Sequence, residues 1–190
     1  MELGFIKVAA GTPKVTVADC EANGREILGI IREMEKEHTK VMVFPELCIT
    51  GYTCHDLFWQ RTLLDSAWNT LLFLAEETKD TDGLIFLGLP VRKNGKLYNA
   101  AAVLNRGRIL GIVPKTNLPN YNEFYELRHF TPAEEGALDY IEINGEDVPF
   151  GTDLIFACEN MPEFTVAAEI CEDLWVPMPP SCLLYTSPSP

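Results

Sequence analysis

Histidine is scarce in this chain: there are three among 190 residues, His38, His55 and His129, and none stands at ligand spacing from a pair of cysteines. The sequence therefore predicts no metal site of the zinc type. Positive charge is also short. Fifteen Lys and Arg face 28 Asp and Glu, a formal net charge of −13, and a phosphate backbone needs clustered cations, so nucleic acid is not an expected partner. No apolar run approaches the ~20 residues of a membrane span. Met1 to Lys7 lacks the basic stretch and longer apolar run of a signal peptide. The six cysteines, at 20, 48, 54, 158, 171 and 182, include no C-x-x-C pair. They are expected to be reduced, and most of them buried as small hydrophobes. No internal repeat or linker divides the chain before residue 176. The expectation is one soluble, cytoplasmic, acidic domain with no membrane or nucleic-acid partner.

What is present is an ordinary globular mixture, 47% hydrophobic and 23% charged. Phe5 to Ala10 reads as a strand before Gly11-Thr12-Pro13. Asp19 is placed to cap a helix carried by Ile27, Ile30, Ile31 and Met34 at three- and four-residue spacing. Val41 to Phe44 reads as a strand stopped by Pro45, and Trp59 to Thr78 as a second helix through Leu63, Leu64, Ala67, Leu71, Leu74 and Ala75. Strands then dominate. Leu84–Val91 and Leu97–Leu104 flank the turn Asn94-Gly95, and Ile109–Val113 follows Asn105-Arg106-Gly107. Residues 118–137 show no period and read as a long ordered loop, a length that is usually functional. Ile141–Ile143, Leu154–Ala157 and Phe164–Ile170 read as further strands, with Asn144-Gly145 a second turn. This order predicts an α/β fold with helices packed on a sheet.

Three of these apolar runs end in a chemically capable side chain: Glu46 after Val41–Phe44, Lys115 after Ile109–Val113, and Cys171 after Phe164–Ile170. The carboxyl ends of strands are where sites gather in such sheets. Singly, each has an ordinary explanation: a solvated turn carboxylate, a surface lysine, a core cysteine. Together they form an acyl-transfer set of base, cation and nucleophile. A thiol of ordinary pKa ~8.5 needs such a base or cation beside it to attack at neutral pH. A Cys-His alternative is weaker, because no histidine follows a strand in the same way. Glu172 and Asp173 read as a local helix-start pair or a loop-holding carboxylate, and Trp175 as core or pocket wall.

The segments Phe44-Pro45-Glu46-Leu47-Cys48-Ile49-Thr50-Gly51-Tyr52, Pro114-Lys115-Thr116-Asn117-Leu118-Pro119-Asn120-Tyr121 and Glu169-Ile170-Cys171-Glu172-Asp173-Leu174-Trp175 resemble the nitrilase, or carbon–nitrogen hydrolase, superfamily. Its catalytic Glu, Lys and Cys match Glu46, Lys115 and Cys171 in the same order. The run from Asn120 to Glu126 and the Cys-Glu-Asp-Leu-Trp segment are further similar to the glutaminase domains of bacterial glutamine-dependent NAD synthetases. The resemblance covers residues from about 4 to 181. It implies an α-β-β-α sandwich and hydrolysis of glutamine through a Cys171 thioester. Glu46 would be the proton carrier and Lys115 the oxyanion partner, with the Glu172 backbone N–H as second donor. It implies that Glu123, or more weakly Glu126, supplies an additional carboxylate that orients the lysine or the substrate, and that Tyr121 contacts glutamine; packing of the loop is an equally good reading of Tyr121. The domain itself would need no cofactor; ATP and Mg2+ would belong to a synthetase domain following in the same chain, and the intact protein would form a homo-oligomer. The other readings are a stand-alone amidase or carbamoylase of the superfamily, and a catalytically silent interaction module.

After Pro179-Pro180-Ser181 the resemblance stops. Residues 1–181 are expected to be a partial hydrolase domain, incomplete at its C-terminus, and 182–190 a non-native or disordered tail whose prolines admit no helix or central strand. The family's Ser and Arg for the glutamine carboxylate, and its Ser-Gly-Gly-type phosphate loop, have no counterpart in the chain.

Overall fold

The computed structural model describes residues 5–185. Helix α1 (Cys20–Lys36) starts where Asp19 Oδ1 accepts the Ala22 N–H at 3.1 Å, and it turns Cys20, Asn23, Gly24, Ile27 and Ile31 inward. Helix α2 (Arg61–Glu77) buries Leu63, Leu64, Ala67, Thr70, Leu71, Leu74 and Ala75, again at helical spacing. Both lie on one face of a seven-stranded mixed sheet. Its strands are β1 (Val8–Ala10), β2 (Val41–Val43), β3 (Leu84–Lys93), β4 (Lys96–Asn105), β5 (Arg108–Pro114), β6 (Leu138–Ile143) and β7 (Glu146–Gly151), in the spatial order β1-β2-β3-β4-β5-β7-β6. The turns that link β3 to β4 and β6 to β7 put both residues of Asn94-Gly95 and Asn144-Gly145 at positive φ, the geometry a two-residue hairpin needs.

The opposite face of the sheet receives a two-stranded ribbon, β8 (Phe156–Cys158) and β9 (Met161–Val166). Phe156, Phe164, Val166 and Ala168 pack there on Val41, Phe86 and Val103. The ribbon does not reach the β1–β2 end of that face, where Val8 and Val43 remain 62% and 45% exposed. The described residues thus form helices, sheet and ribbon, three of the four layers expected; a second helical layer is not among them. No helix is long and apolar enough to cross a membrane among the described residues.

Four expectations change. Strand β9 stops at Val166 instead of Ile170, because its partner β8 begins at Phe156, opposite Val166, and offers no further backbone to pair. Strand β7 was not foreseen, its acidic start and Pro149 masking the pattern. The unperiodic loop contains one helical turn, α3 (Glu126–His129). Finally, a short helix α4 (Pro180–Tyr185) enters the region expected to exclude one. Pro180 suits a first helical position, where its missing N–H has no partner to lose, and the alternating prolines begin only at Pro188. The rest of the expected tail, 186–190, lies outside the described residues.

Candidate active site

Glu46 sits in the turn that ends β2. The chain there folds tightly onto β3, with Phe44 N–H donating to the Phe86 carbonyl at 3.0 Å and Ile49 N–H to the Gly88 carbonyl at 3.2 Å. Gly88 is required by this approach: a Cβ there would collide with the Leu47 nitrogen and lie 2.5 Å from the Pro45 oxygen. Leu47 takes a positive φ of 51°, which bends the chain sharply after Glu46.

Lys115 follows the last residue of β5. Its N–H donates to the Asn99 carbonyl at 2.8 Å, one step beyond the Ala100–Pro114 pair of the β4–β5 ladder. The ladder therefore sets Asn99 and Lys115 side by side. The Lys115 ammonium is fully buried between two carboxylates, 2.6 Å from Glu46 Oε1 and 2.9 and 3.0 Å from Glu126 Oε1 and Oε2. Asn99 Nδ2 donates to Glu46 Oε1 at 2.6 Å and to Glu126 Oε2 at 3.3 Å, and Tyr52 OH donates to Glu126 Oε1 at 2.8 Å. Burial opposes the Lys115 charge, but Glu46 and Glu126 outweigh it and hold the ammonium above its usual pKa. Glu126 is pushed up by burial and by Glu46, against the pull of Lys115 and Tyr52. Burial, with the hydrogen bond to Glu126, pushes the Tyr52 phenol far up, so it stays a donor.

Cys171 arrives five residues after β9 ends. Its φ of 50° turns extended Ile170 into a 3₁₀ turn, Cys171–Leu174. Such a conformation is strained for a residue with a Cβ. The thiol lines the same cavity as Glu46, whose carboxylate acts on it. Burial raises its pKa first, then the charge of Glu46; Lys115 works in the opposite direction without prevailing. Asp173 anchors this turn to the segment after Lys115. Its Oδ1 accepts from Thr116 N–H, Thr116 Oγ1, Asn117 N–H and Asn117 Nδ2 at 3.2, 2.6, 2.7 and 3.0 Å. A cavity of about 200 Å3 runs from Glu46 and Cys171 along Gly88, Ala100 and Ala101. A larger groove, about 720 Å3, lies between α1 and α2 and includes none of these residues. Chemistry selects the smaller one.

The three residues singled out at strand ends thus converge, although Cys171 lies on an irregular segment instead of a strand end. Glu123 does not join them. It is exposed near Tyr121, and the second carboxylate on Lys115 is that of Glu126, which the α3 turn carries inward to 3% exposure. Tyr121 lies beside the Cys171 turn, half exposed, its OH donating to Glu172 Oε2 at 2.9 Å. Asn99 and Tyr52 were missed. Tyr52 stood inside a quoted motif, and Asn99 is a polar residue interrupting the apolar run Leu97–Leu104, a signal that could have marked it. Among the other cysteines Cys48 is buried, its thiol pushed up to about 12 by burial.

Residues 7–180 match the carbon-nitrogen hydrolase family. A glutamine-dependent NAD(+) synthetase of Mycobacterium bovis is 44% identical over 178 residues, which are 94% of this chain and 26% of that protein. One from Aquifex aeolicus is 37% identical over 163 residues, 85% of this chain and 25% of that protein. The crystal structure of a glutamine-dependent NAD(+) synthetase from Cytophaga hutchinsonii superposes with a TM-score of 0.81 at 31% identity, over 88% of this chain and 28% of that one. An amidase from Nesterenkonia sp. shares the fold with a TM-score of 0.59 at 18% identity, over 76% of this chain and 54% of that one. The chain spans about a quarter of the length of the curated relatives it matches. The family match runs from before β1 to the first residue of α4, through every turn that delivers Glu46, Lys115 and Cys171: the chain belongs to the carbon-nitrogen hydrolase family.

Proposed function

We propose that this chain is the glutamine-hydrolysing domain of a glutamine-dependent NAD synthetase, releasing ammonia from the glutamine side chain. The observation that carries the reading is the cavity Cys171 shares with a Glu46 carboxylate that a buried lysine holds at 2.6 Å. Cys171 Sγ attacks the carboxamide carbon while its proton passes to Glu46. The oxygen of the tetrahedral adduct becomes negative as Glu46 becomes neutral. The Lys115–Glu46 ion pair weakens at that moment, and the ammonium can turn a hydrogen toward the oxyanion, with the Glu172 backbone N–H as a second donor. Glu46 then gives its proton to the departing nitrogen, leaving ammonia and a thioester. In the second half Glu46 takes a proton from water, hydroxide attacks the thioester, and glutamate leaves as the thiol is restored. Glu126 stays on Lys115 throughout and keeps the cation in place. Beside the Cys171 turn, Tyr121 contacts glutamine, and the Glu172 carboxylate offers a counter-charge for its α-ammonium.

In this reading ATP, Mg2+ and deamido-NAD are handled by the remaining length of the full synthetase, which receives the ammonia. The test is ammonia release from glutamine by the full-length enzyme and its C171A variant. Hydrolysis abolished by C171A supports the reading. Hydrolysis that survives C171A, or short aliphatic amides and N-carbamoyl compounds turned over faster than glutamine, would replace it with a different amidase.

A further inference from the structure

Asn99 is 1% exposed and sits where β4 brings it beside Lys115. Both hydrogens of its amide nitrogen have work in the site, one toward Glu46 Oε1 and one toward Glu126 Oε2. Its own Oδ1 is buried without a partner. A buried amide normally orients to satisfy its oxygen, since an orphaned acceptor is costly. Turning this one over would aim an oxygen at two carboxylates, so the site and not the residue's own needs dictates the orientation.

The electrostatics give the amide a task. Glu46 and Glu126 share one cation, so the cluster carries a net negative charge in a buried place. Two carboxylates held that closely tend to trap a proton between them. A proton trapped there would disable the base that Cys171 needs. A primary amide supplies two N–H groups from a single nitrogen and cannot itself titrate; a hydroxyl has only one hydrogen, and a second lysine would compete for Glu46 outright. Asn99 and Lys115 also both bind Oε1 of Glu46, which leaves the other oxygen unclaimed for the thiol side.

We propose that Asn99 is the positioning residue of the Glu46 base: it holds the carboxylate by the oxygen shared with Lys115 and ties Glu46 and Glu126 to one lysine. This rests on the hydrolase reading above and assigns a residue to it that acts only through Glu46.

The test is the pH profile of kcat/KM for glutamine in the full-length enzyme and three variants. Asn99→Ala removes the amide. Asn99→Asp keeps the shape, so packing is preserved, but replaces the donor with a third carboxylate. Asn99→Asp with Glu126→Gln restores the net charge with donor and acceptor exchanged. The acid limb is expected to move up by about one pH unit in N99A and further in N99D, because one proton more is held near Glu46. KM is expected to stay within roughly threefold, since Asn99 does not line the cavity. The limb is expected to stay raised in N99D/E126Q, where the net charge is restored but the introduced carboxylate faces Glu46 Oε1 with no donor between them. An infrared band of a protonated carboxyl that titrates about one pH unit higher in N99A than in the unmodified enzyme, a shift absent when Glu126→Gln is added, reads the trapped proton without any turnover. The infrared result therefore stands even if glutamine proves not to be the substrate, while C171A decides the hydrolase reading separately. An unmoved acid limb with no shift of the infrared band in N99A would overturn the proposal. So would activity lost only in step with the folded fraction, which would return Asn99 to a structural part.

Discussion

Glu46 raises the pKa of the thiol it is meant to deprotonate, which makes its removal informative in two opposite directions. Burial, Glu46 and Glu126 all raise the Cys171 pKa, and only Lys115 lowers it. The thiolate is accordingly sparse at neutral pH, and its share grows as pH rises through the elevated pKa. In E46Q one raising charge is gone and Lys115 loses its nearest anion. Alkylation of Cys171 by iodoacetamide at pH 7 is expected to quicken, by roughly tenfold for each unit the pKa falls, while glutamine hydrolysis is lost with the base. Rate against pH, followed by mass spectrometry on the Cys171 peptide, checks this; slower alkylation in E46Q would contradict the arrangement. The two loop carboxylates separate in the same manner. E126Q removes half of the Lys115 cage and is expected to lower kcat/KM by at least about tenfold. E123Q, at an exposed position, is expected to stay within about twofold. The resemblance favoured Glu123, and residues 118–137 carry no period from which an inward face might be read; a single turn of helix turns Glu126 inward instead.

The elements that deliver the site were legible where a pattern continued to its end. Strands β2 and β5 are short apolar runs whose last residues precede Glu46 and Lys115, so both side chains were placed by reading where hydrophobicity stops. Cys171, expected at a strand end, lies on an irregular segment. Its segment leaves β9 at Val166, and tertiary bonds replace the ladder. Those bonds converge on Asp173, read beforehand only as a helix-start pair or loop holder. Its Oδ1 collects four donors from Thr116 and Asn117, so the turn bearing the nucleophile is fastened to the segment that follows the lysine. D173A would leave those donors unmatched and free the Cys171 turn. A loss of about 1–3 kcal/mol in stability is expected from the lost charged acceptor. Hydrolysis is expected to fall well beyond what that loss of folded enzyme explains, because a misplacement of about 1 Å can cost ~100-fold. Denaturant unfolding and kcat measured on the same preparation separate the two effects. Activity that tracks only the folded fraction would show that Cys171 is placed without Asp173.

At the scale of the whole molecule, the acidity and the uneven cover of the sheet combine. The β8–β9 ribbon shields the middle of one face, but Val8, the ladder partner of Val41, and Val43, two residues along β2 from Val41, stay largely exposed beyond it. An open apolar surface favours association, and a net charge of −13 opposes it by mutual repulsion. The balance shifts with pH in a definite direction. As pH falls from 7 toward the isoelectric point near 4.6, carboxylates take up protons and the repulsion vanishes, while the apolar surface is unchanged. Added salt acts in the same direction by screening, with a Debye length of only ~3 Å at 1 M. The 190-residue chain, prepared by itself, is therefore expected to bind an apolar dye such as ANS at pH 7 and to self-associate as the pH or the repulsion is lowered. Replacing Val8 and Val43 by Thr is expected to reduce both dye binding and association, with the Glu46 turn three residues beyond Val43 left in place. Light scattering and dye fluorescence across pH 7 to 5 check it. A monodisperse chain that binds no dye at either end of that range would mean that this face is closed in solution.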